Sequence, residues 1–398
     1  MNKNLSRLFK IASKKERLII GLMSGTSMDG LDVALCKLSG HGLKTRIELL
    51  EFATVLYSAE VKAKIIEVFA RSQVDFQKLC ILNSWMGNLH GEMVLESLKK
   101  WKYEAQTIDI VASHGQTVFH APALLNPHQN INATLQVGDG DHVAVSTGII
   151  TVSDFRQKHV AKGGAGAPLA VYGDFLLLSH KTENRILLNI GGIGNFTYLP
   201  GGQDPRKVFV TDTGPGNTLM DQLVRRYVPN QYFDRDAALG KRGKIHQELL
   251  QELKSHAFFE LPFPKTTGPE LFNLEFLDLA KERSGSNQIS LEDTVATLAR
   301  FSAETIAEAI QRAAGMKRKF EVYLSGGGAH NPLLVKWMQE ILNMEKVRMT
   351  DELGIPGDAK EAILFAILAN ETIVGGTINF GSRTKIPSVS MGKISFPD

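Results

Sequence analysis

Cysteine is almost absent: Cys36 and Cys80 are the only two in the chain, too few for a disulfide framework or a cysteine-built metal site. Long apolar runs are missing as well, and no stretch approaches the roughly 20 apolar residues a bilayer-spanning helix needs. Nor is there an excess of charge of one sign. The 45 basic and 42 acidic side chains leave a net +3, which gives no electrostatic reason to bind nucleic acid or a membrane surface. Residues 1–17, MNKNLSRLFKIASKKER, are basic but lack the apolar core and cleavage site of a signal peptide. They read as a frayed, solvated leader. What is left is the composition of a cytoplasmic globular enzyme. Its 398 residues exceed what one hydrophobic core usually serves, which implies two domains.

Glycine, by contrast, is plentiful and clustered. The segment Gly21 to Asp32, GLMSGTSMDGLD, sits between two apolar strand-like runs, LII and LDVAL. Glycines let backbone N–H groups approach an anion closely, and Thr26 and Ser27 add hydroxyl donors. Asp29 and Asp32 can hold a magnesium ion or orient a water. A tight hairpin alone needs no hydroxyl pair, so the segment reads as a phosphate cradle.

The theme recurs. RLIIGLMSGTSMDGLDVALCKL and RILLNIGGIGNFTYL both read strand, glycine turn, strand, and an extended run follows each. Helical periodicity marks FQKLCILNSWMGNLHGEMVLESLKKW, NTLMDQLVRRYV, LEDTVATLARFSAETIAEAIQRAAG and NPLLVKWMQEILN. Short buried-strand candidates lie between them: TIDIVASHG, GIITVSDF and KFEVYLSGGG. Strands alternating with helices define an α/β protein. The repeated hairpin predicts two similar lobes facing one cleft, each a mixed sheet flanked by helices. The N-terminal lobe is expected over residues 1–155, completed by a C-terminal helix at 359–375, and the C-terminal lobe over 156–358.

Further polar clusters stand at expected strand ends, where α/β proteins gather their ligand sites. In SHGQTVFH, the residues His114, Gln116, Thr117 and His120 form an array suited to hydrogen bonding rather than metal ligation. In LQVGDGDH, Asp141 reads as the N-cap of the next helix, and Gly138 and Asp139 remain to be explained. Asp154, in SDFRQK, follows a buried strand and is placed to act as a general base, with Arg156 and Lys158 keeping it ionised. Lys162, Gly163 and Gly164 can help to bind an anion. In VTDTGPGN, Asp212 ends a strand and can reach magnesium through water. Thr213 to Gly216 place amides at a helix N-terminus, a ready anion site. Gly326 and Gly327, in SGGGAHN, permit close approach by a flat ring such as adenine.

Taken in order, GLMSGTSMDGLD, SHGQTVFH, LQVGDG, SDFR with GGAGAPL, NIGGIGN, DTGPGN and SGGGAHN resemble the anhydro-N-acetylmuramic acid kinases. These belong to the sugar kinase, actin and heat-shock ATPase superfamily. The resemblance spans residues 17–373, and its specific blocks are GTSMDG and SDFR. It implies an actin-like ATPase fold with the active site in the interlobe cleft, and a dimeric cytoplasmic enzyme of cell-wall recycling. It also implies use of ATP, magnesium and water to open 1,6-anhydro-N-acetylmuramic acid and phosphorylate O6. Carried over, Asp154 is the catalytic base. Gly25, Thr26, Ser27, Met28, Asp29, Gly30, Leu31 and Asp32 bind nucleotide, together with Gly191, Gly192, Asp212, Gly214, Gly216, Gly326 and Gly327. His114, Gln116, Thr117, Gly138, Asp139, Arg156 and Glu361 lie near the sugar.

The match departs from the family at PFPKTTGPE, where Pro269 stands in place of an expected arginine, and in the basic leader. Two rival functions share parts of this pattern. One is a kinase for another anhydrosugar such as levoglucosan. The other is a non-catalytic ATPase switch, which is expected to carry long substrate or polymer segments beyond the two lobes.

Overall fold

The computed structural model describes residues 2–123, 130–315, 319–381 and 386–398. The leader is not frayed. Lys3–Ser13 form helix α1, capped by Asn2, whose side chain accepts from the amides of Asn4 and Leu5. Asn4 donates to the carbonyl of Asp398 at 2.6 Å and Arg7 to that of Gly148 at 3.0 Å. A cap and two carbonyls distant in sequence decide this helix, and terminal charge alone does not reveal them.

Strands β1 (Glu16–Ser24) and β2 (Gly30–Ser39) form the first glycine hairpin, and β3 (Arg46–Leu56) extends it as an antiparallel meander. Helices α2 (Ala59–Ile66) and α3 (Phe76–Trp101) follow. Each starts on a side-chain cap, Ser58 accepting from the Val61 amide and Asp75 from those of Gln77 and Lys78. Strand β4 (Ile110–Ala121) runs parallel to β1, and β5 (Ala133–Val137) folds back on its second half. After α4 (Gly140–Thr147), strand β6 (Thr151–Ser153) joins β4 in parallel. Helices α5 (Phe155–Ala161) and α6 (Ala170–Leu178) close this segment.

The next segment opens on the second glycine hairpin, β7 (Asn184–Ile190) and β8 (Ile193–Leu199), extended by β9 (Phe209–Pro215). Helices α7 (Thr218–Tyr227), α8 (Gln247–Lys254), α9 (Leu274–Arg283) and α10 (Leu291–Ala314) lead to β10 (Phe320–Ser325), which is parallel to β7. Helix α11 (Pro332–Leu342) and strand β11 (Arg348–Met349) follow. The chain ends through α12 (Lys360–Val374) and β12 (Lys393–Ser395).

Two compact units result: Met1–Leu178 with Ile355–Asp398, and Ser179–Gly354. Helices α5 and α6, which the expected boundary at residue 155 put in the second lobe, belong to the first unit. The order of the first sheet is β3-β2-β1-β4-β6 with β12 at its edge; that of the second is β9-β8-β7-β10-β11. In both, an antiparallel meander is followed by two parallel strands. The two sheets thus share one topology.

Strands β1 and β2 are covered on both faces, so their burial is nearly continuous rather than alternating. Ile20, Leu22, Val33 and Leu35 pack with residues of α2 and α3 that include Ile65, Met86 and Leu98. Helix α12 packs on β1, β2 and β4 and is buried without interruption from Ala362 to Glu371, as an all-round apolar helix must be. Contact is closest at Gly21, where an added Cβ would lie 1.9 Å from the carbonyl oxygen of Ala362. In the second unit, Ile186, Leu188 and Phe196 of the sheet pack with Leu298, Phe301 and Ile306 of α10.

Candidate active site

The turn between β1 and β2 closes through the Met28 amide, which donates to the carbonyl of Gly25 at 3.2 Å. Thr26 and Ser27 are exposed beside half-buried Gly25 and Met28, and Asp29 lies 3.8 Å from Lys62. Gly30 and Leu31, expected in the phosphate site, are ladder residues of β2 paired with Leu56 and Val55. The side chain of Leu31 is in the core. The turn is therefore shorter than the motif that announced it. Asp32 accepts from the Thr54 hydroxyl at 2.6 Å. Burial raises its pKa, the Thr54 bond opposes that, and Asp358 adds to it.

A buried polar chain braces this turn from below. Gln116 Nε2 donates to the carbonyls of Gly25 and Thr117, both at 3.1 Å, which leaves Oε1 to accept from the Ser24 hydroxyl at 2.5 Å. The Ser24 oxygen in turn accepts from Tyr57 at 2.8 Å, and the Tyr57 oxygen accepts from Nε2 of His90 at 2.8 Å. Gln116 is thus a fully buried strut rather than a cavity residue. Thr117 is likewise buried, its hydroxyl accepting from Gln136 at 3.3 Å. SHGQTVFH, expected at the end of a strand, continues that strand as part of β4. His114, Gln116 and Thr117 are tolerated there because partners satisfy them.

A cavity of about 670 Å³ opens in the first unit, lined among others by His114, Gln136, Gly138, Asp139, Asp154 and Lys393. This is the size range of small-molecule sites. Asp154 directly follows β6 with φ 55° and ψ 47°, a left-handed conformation that aspartate tolerates better than most residues. It stands at the N-cap position of α5 but makes no capping bond. Its carboxylate pairs instead with the ammonium of Lys393. That corrects the expectation that Arg156 and Lys158 accompany it: Arg156 donates to Nε2 of His114 at 2.8 Å. Asp139, not Asp141, caps α4, accepting from the Asp141 amide at 2.8 Å. Helical geometry begins at Gly140, so the cap falls one residue before it. Glu361 stands in the first turn of α12; desolvation raises its pKa, while Arg156 opposes the shift and Asp32 adds to it.

The sequence reading missed Asn83, Gln136, Gln157 and Lys393 in this lining. Gln136 Oε1 is buried without a partner among the described residues, an acceptor available to a polar ligand. Its place in LQVGDG was the one signal that could have marked it. Nothing local marks Lys393.

In the second unit the hairpin carbonyls close the expected anion site. The amides of Gly216 and Thr218 donate to Gly192 at 2.8 and 3.0 Å, and that of Asn217 donates to Gly191 at 2.9 Å. Gly214 lies inside β9, where an added Cβ would sit 2.9 Å from the Phe259 ring. Gly214 and Gly216 serve packing, and the Gly216 amide is engaged. Asp212 also lies within β9, paired with Asn195, rather than at its end. Its Oδ2 accepts from the Thr267 amide at 2.8 Å. Burial pushes its pKa up to about 6; the Thr267 bond opposes this and Glu270 adds to it. Gly326, at φ 83°, has no room for a side chain beside Asn189 and Ile190. Gly327 is open and lines a cavity of about 440 Å³ with Asn217, Asp221, Tyr232, Phe233 and His330. Burial also raises the Asp221 pKa to about 6, against Arg225. Apart from Gly327, the expected set did not include the residues of this cavity.

No helix among the described residues is long and apolar enough to cross a membrane. No cluster of three or more metal-ligating side chains occurs among them either.

Two units of one topology, each with a glycine hairpin joining its first two strands, define an actin-like kinase or ATPase of the sugar-kinase type. The family model for anhydro-N-acetylmuramic acid kinase matches residues 17–394. An anhydro-N-acetylmuramic acid kinase of Pseudoalteromonas atlantica is 55% identical over 401 residues, covering 100% of both chains. One of Caldanaerobacter subterraneus subsp. tengcongensis is 41% identical over 396 residues, covering 98% of this chain and 100% of its own. Among solved structures, a hexokinase from Schistosoma mansoni complexed with glucose aligns at TM-score 0.36 and 11% identity, over 88% of this chain and 85% of its own. That likeness is too distant to carry an argument. The chain belongs to the anhydro-N-acetylmuramic acid kinase family.

Proposed function

We propose that this chain uses ATP and water to convert 1,6-anhydro-N-acetylmuramic acid into N-acetylmuramic acid 6-phosphate and ADP, in peptidoglycan recycling. One observation carries the reading beyond family membership: the carboxylate of Asp154, uncommitted to its helix, faces a polar cavity of sugar size. In this role Asp154 takes a proton from a water whose oxygen attacks C1. The C1–O6 bond breaks, and the O6 electron pair forms the new bond to the γ-phosphorus as ADP departs. A single carboxylate suffices because the phosphoryl group takes the place of the proton that a glycosidase delivers from its second carboxylic acid. Gly138, Asp139 and Gln136 would orient the sugar beside the His114 ring, with Arg156 fixing that ring and Glu361 acting on Arg156.

The turn from Gly25 to Asp29 would receive phosphate oxygens on its amides and hydroxyls. The cavity at Gly327, with Tyr232 and Phe233, suits a nucleobase. Asp212 fits a cation reached through water, since it is a half-buried carboxylate with raised pKa and a second acid, Glu270, acting on it. Bound there, magnesium would neutralise charge on the transferring phosphoryl group. The reading includes a homodimer at work in the cytoplasm, which sedimentation and fractionation would test.

The decisive assay incubates the protein with ATP, magnesium and a panel of anhydrosugars. Stoichiometric ADP and a 6-phosphate from the muramic sugar are expected. Preference for levoglucosan would favour the rival kinase, and ADP release without sugar would favour an ATPase switch.

A further inference from the structure

We propose that Lys393 is the residue by which the cavity recognises the carboxylate of its sugar. The inference rests on the kinase reading above and adds to it the group that separates an acidic anhydrosugar from a neutral one.

Among the described residues lining the cavity, Lys393 is the one lysine or arginine, whereas Asp139, Asp141 and Asp154 also line it. His114 contributes no charge. Its Nδ1 donates to the Gly115 carbonyl, its Nε2 accepts from Arg156, and burial, then Arg156, pushes its pKa down to about 3. The guanidinium of Arg156 is mostly buried and engaged with that ring. A ligand carboxylate entering this cavity therefore meets several negative charges and one positive charge. Without Lys393 the cavity would repel the acidic sugar outright.

Position supports the role. The backbone of β12 is locked against β6, Lys393 opposite Ser153 and Ser395 opposite Thr151, so the side chain starts from a fixed point. Its ammonium pairs with Asp154, yet 62% of the side chain stays exposed. An ammonium carries three N–H donors. One serves Asp154 and the others remain for the lactyl carboxylate of the muramic sugar. Lys393 would then bridge the substrate acid and the base, holding the sugar in register with Asp154. A neutral sugar such as levoglucosan offers that ammonium nothing.

The test compares 1,6-anhydro-N-acetylmuramic acid with its methyl ester, by calorimetric binding without nucleotide and by kcat/KM with ATP. Wild type, Lys393→Met and Lys393→Arg are measured in parallel. The wild type should prefer the acid by about ten- to a hundredfold, the worth of one hydrogen bond to a charged group. That preference should shrink as salt rises. Lys393→Met should bring the ratio to unity or below it, the aspartates then disfavouring the acid, and Lys393→Arg should keep most of it. Because the ratio is internal to each variant, a general loss of folded protein does not move it. Equal handling of acid and ester by an active wild type, or an unchanged ratio in Lys393→Met, overturns the inference alone. A wild type that turns over neither sugar overturns the kinase reading and this inference with it.

Discussion

Arg156 donates from Nε to Nε2 of His114 at 2.8 Å, while Nδ1 of the same ring donates to the Gly115 carbonyl at 2.8 Å. Both ring nitrogens are thereby assigned: His114 is a neutral Nδ1–H tautomer. It can be neither a general base nor a metal ligand, which supports the proposal that Asp154 abstracts the proton. A nitrogen-15 spectrum should show that tautomer, with no titration of this ring down to about pH 5.

The same burial sets the acid stability. His114 is held near pKa 3, His90 near 4 by burial, and His159 near 4 by burial and then Arg156. In the unfolded chain these rings take up protons around pH 6.5. Below that pH the unfolded state binds more protons than the folded one. Stability is therefore fully present above about pH 6.5 and falls as the pH drops toward the folded values. Urea midpoints at about pH 7 and about pH 5 should show the loss, and replacing His90 by Gln should lessen the pH dependence. Equal midpoints at the two pH values would contradict the neutral, buried state of these rings.

Asp154→Asn should lower turnover by about a hundred- to ten-thousand-fold while leaving ATP affinity nearly unchanged. In water enriched with heavy oxygen, the wild-type product should carry the label at C1. Near-normal turnover in the variant would remove Asp154 from the mechanism, and an unlabelled product would show that no water is added.

Asp212 must be ionised to attract a cation, and its pKa is raised to about 6, chiefly by burial. The magnesium concentration giving half-maximal activity should therefore climb as pH falls through that value. In Asp212→Asn the requirement should be high and flat across the same range. A wild-type requirement that does not change with pH would place the ion elsewhere.

Gly21→Ala should destabilise the first unit by about 3 kcal/mol, because the new methyl group would meet the Ala362 carbonyl. Thermal melting checks this. An unchanged melting temperature would mean that α12 yields easily, contrary to its close packing.

Local patterns made much of the fold legible. The span of α3 is the periodic segment itself, and both glycine hairpins fall where their apolar flanks put them. Polar groups inside strands misled, as at His114 and Gln116, because their partners on α5 and in the first hairpin are remote in sequence. The two aspartates at the start of α4 carry the same chemistry, and the backbone, which one sequence does not display, chose Asp139 over Asp141. The partner of Asp154 lies 239 residues away, beyond the reach of any spacing rule. Gly214 and Gly216 read as anion-site glycines because close packing, which they serve here, and anion binding call for the same residue.

The first unit is discontinuous: its helix α12 and edge strand β12 are translated only after the whole of Ser179–Gly354. While the ribosome is still making that insert, the face of β1 that carries Gly21 has no helix to cover it. The inserted unit has all its strands in one run of chain and is complete earlier. Synthesis thus reverses the order of the map: the second unit can mature first, and the cavity that Lys393 lines is finished only after it.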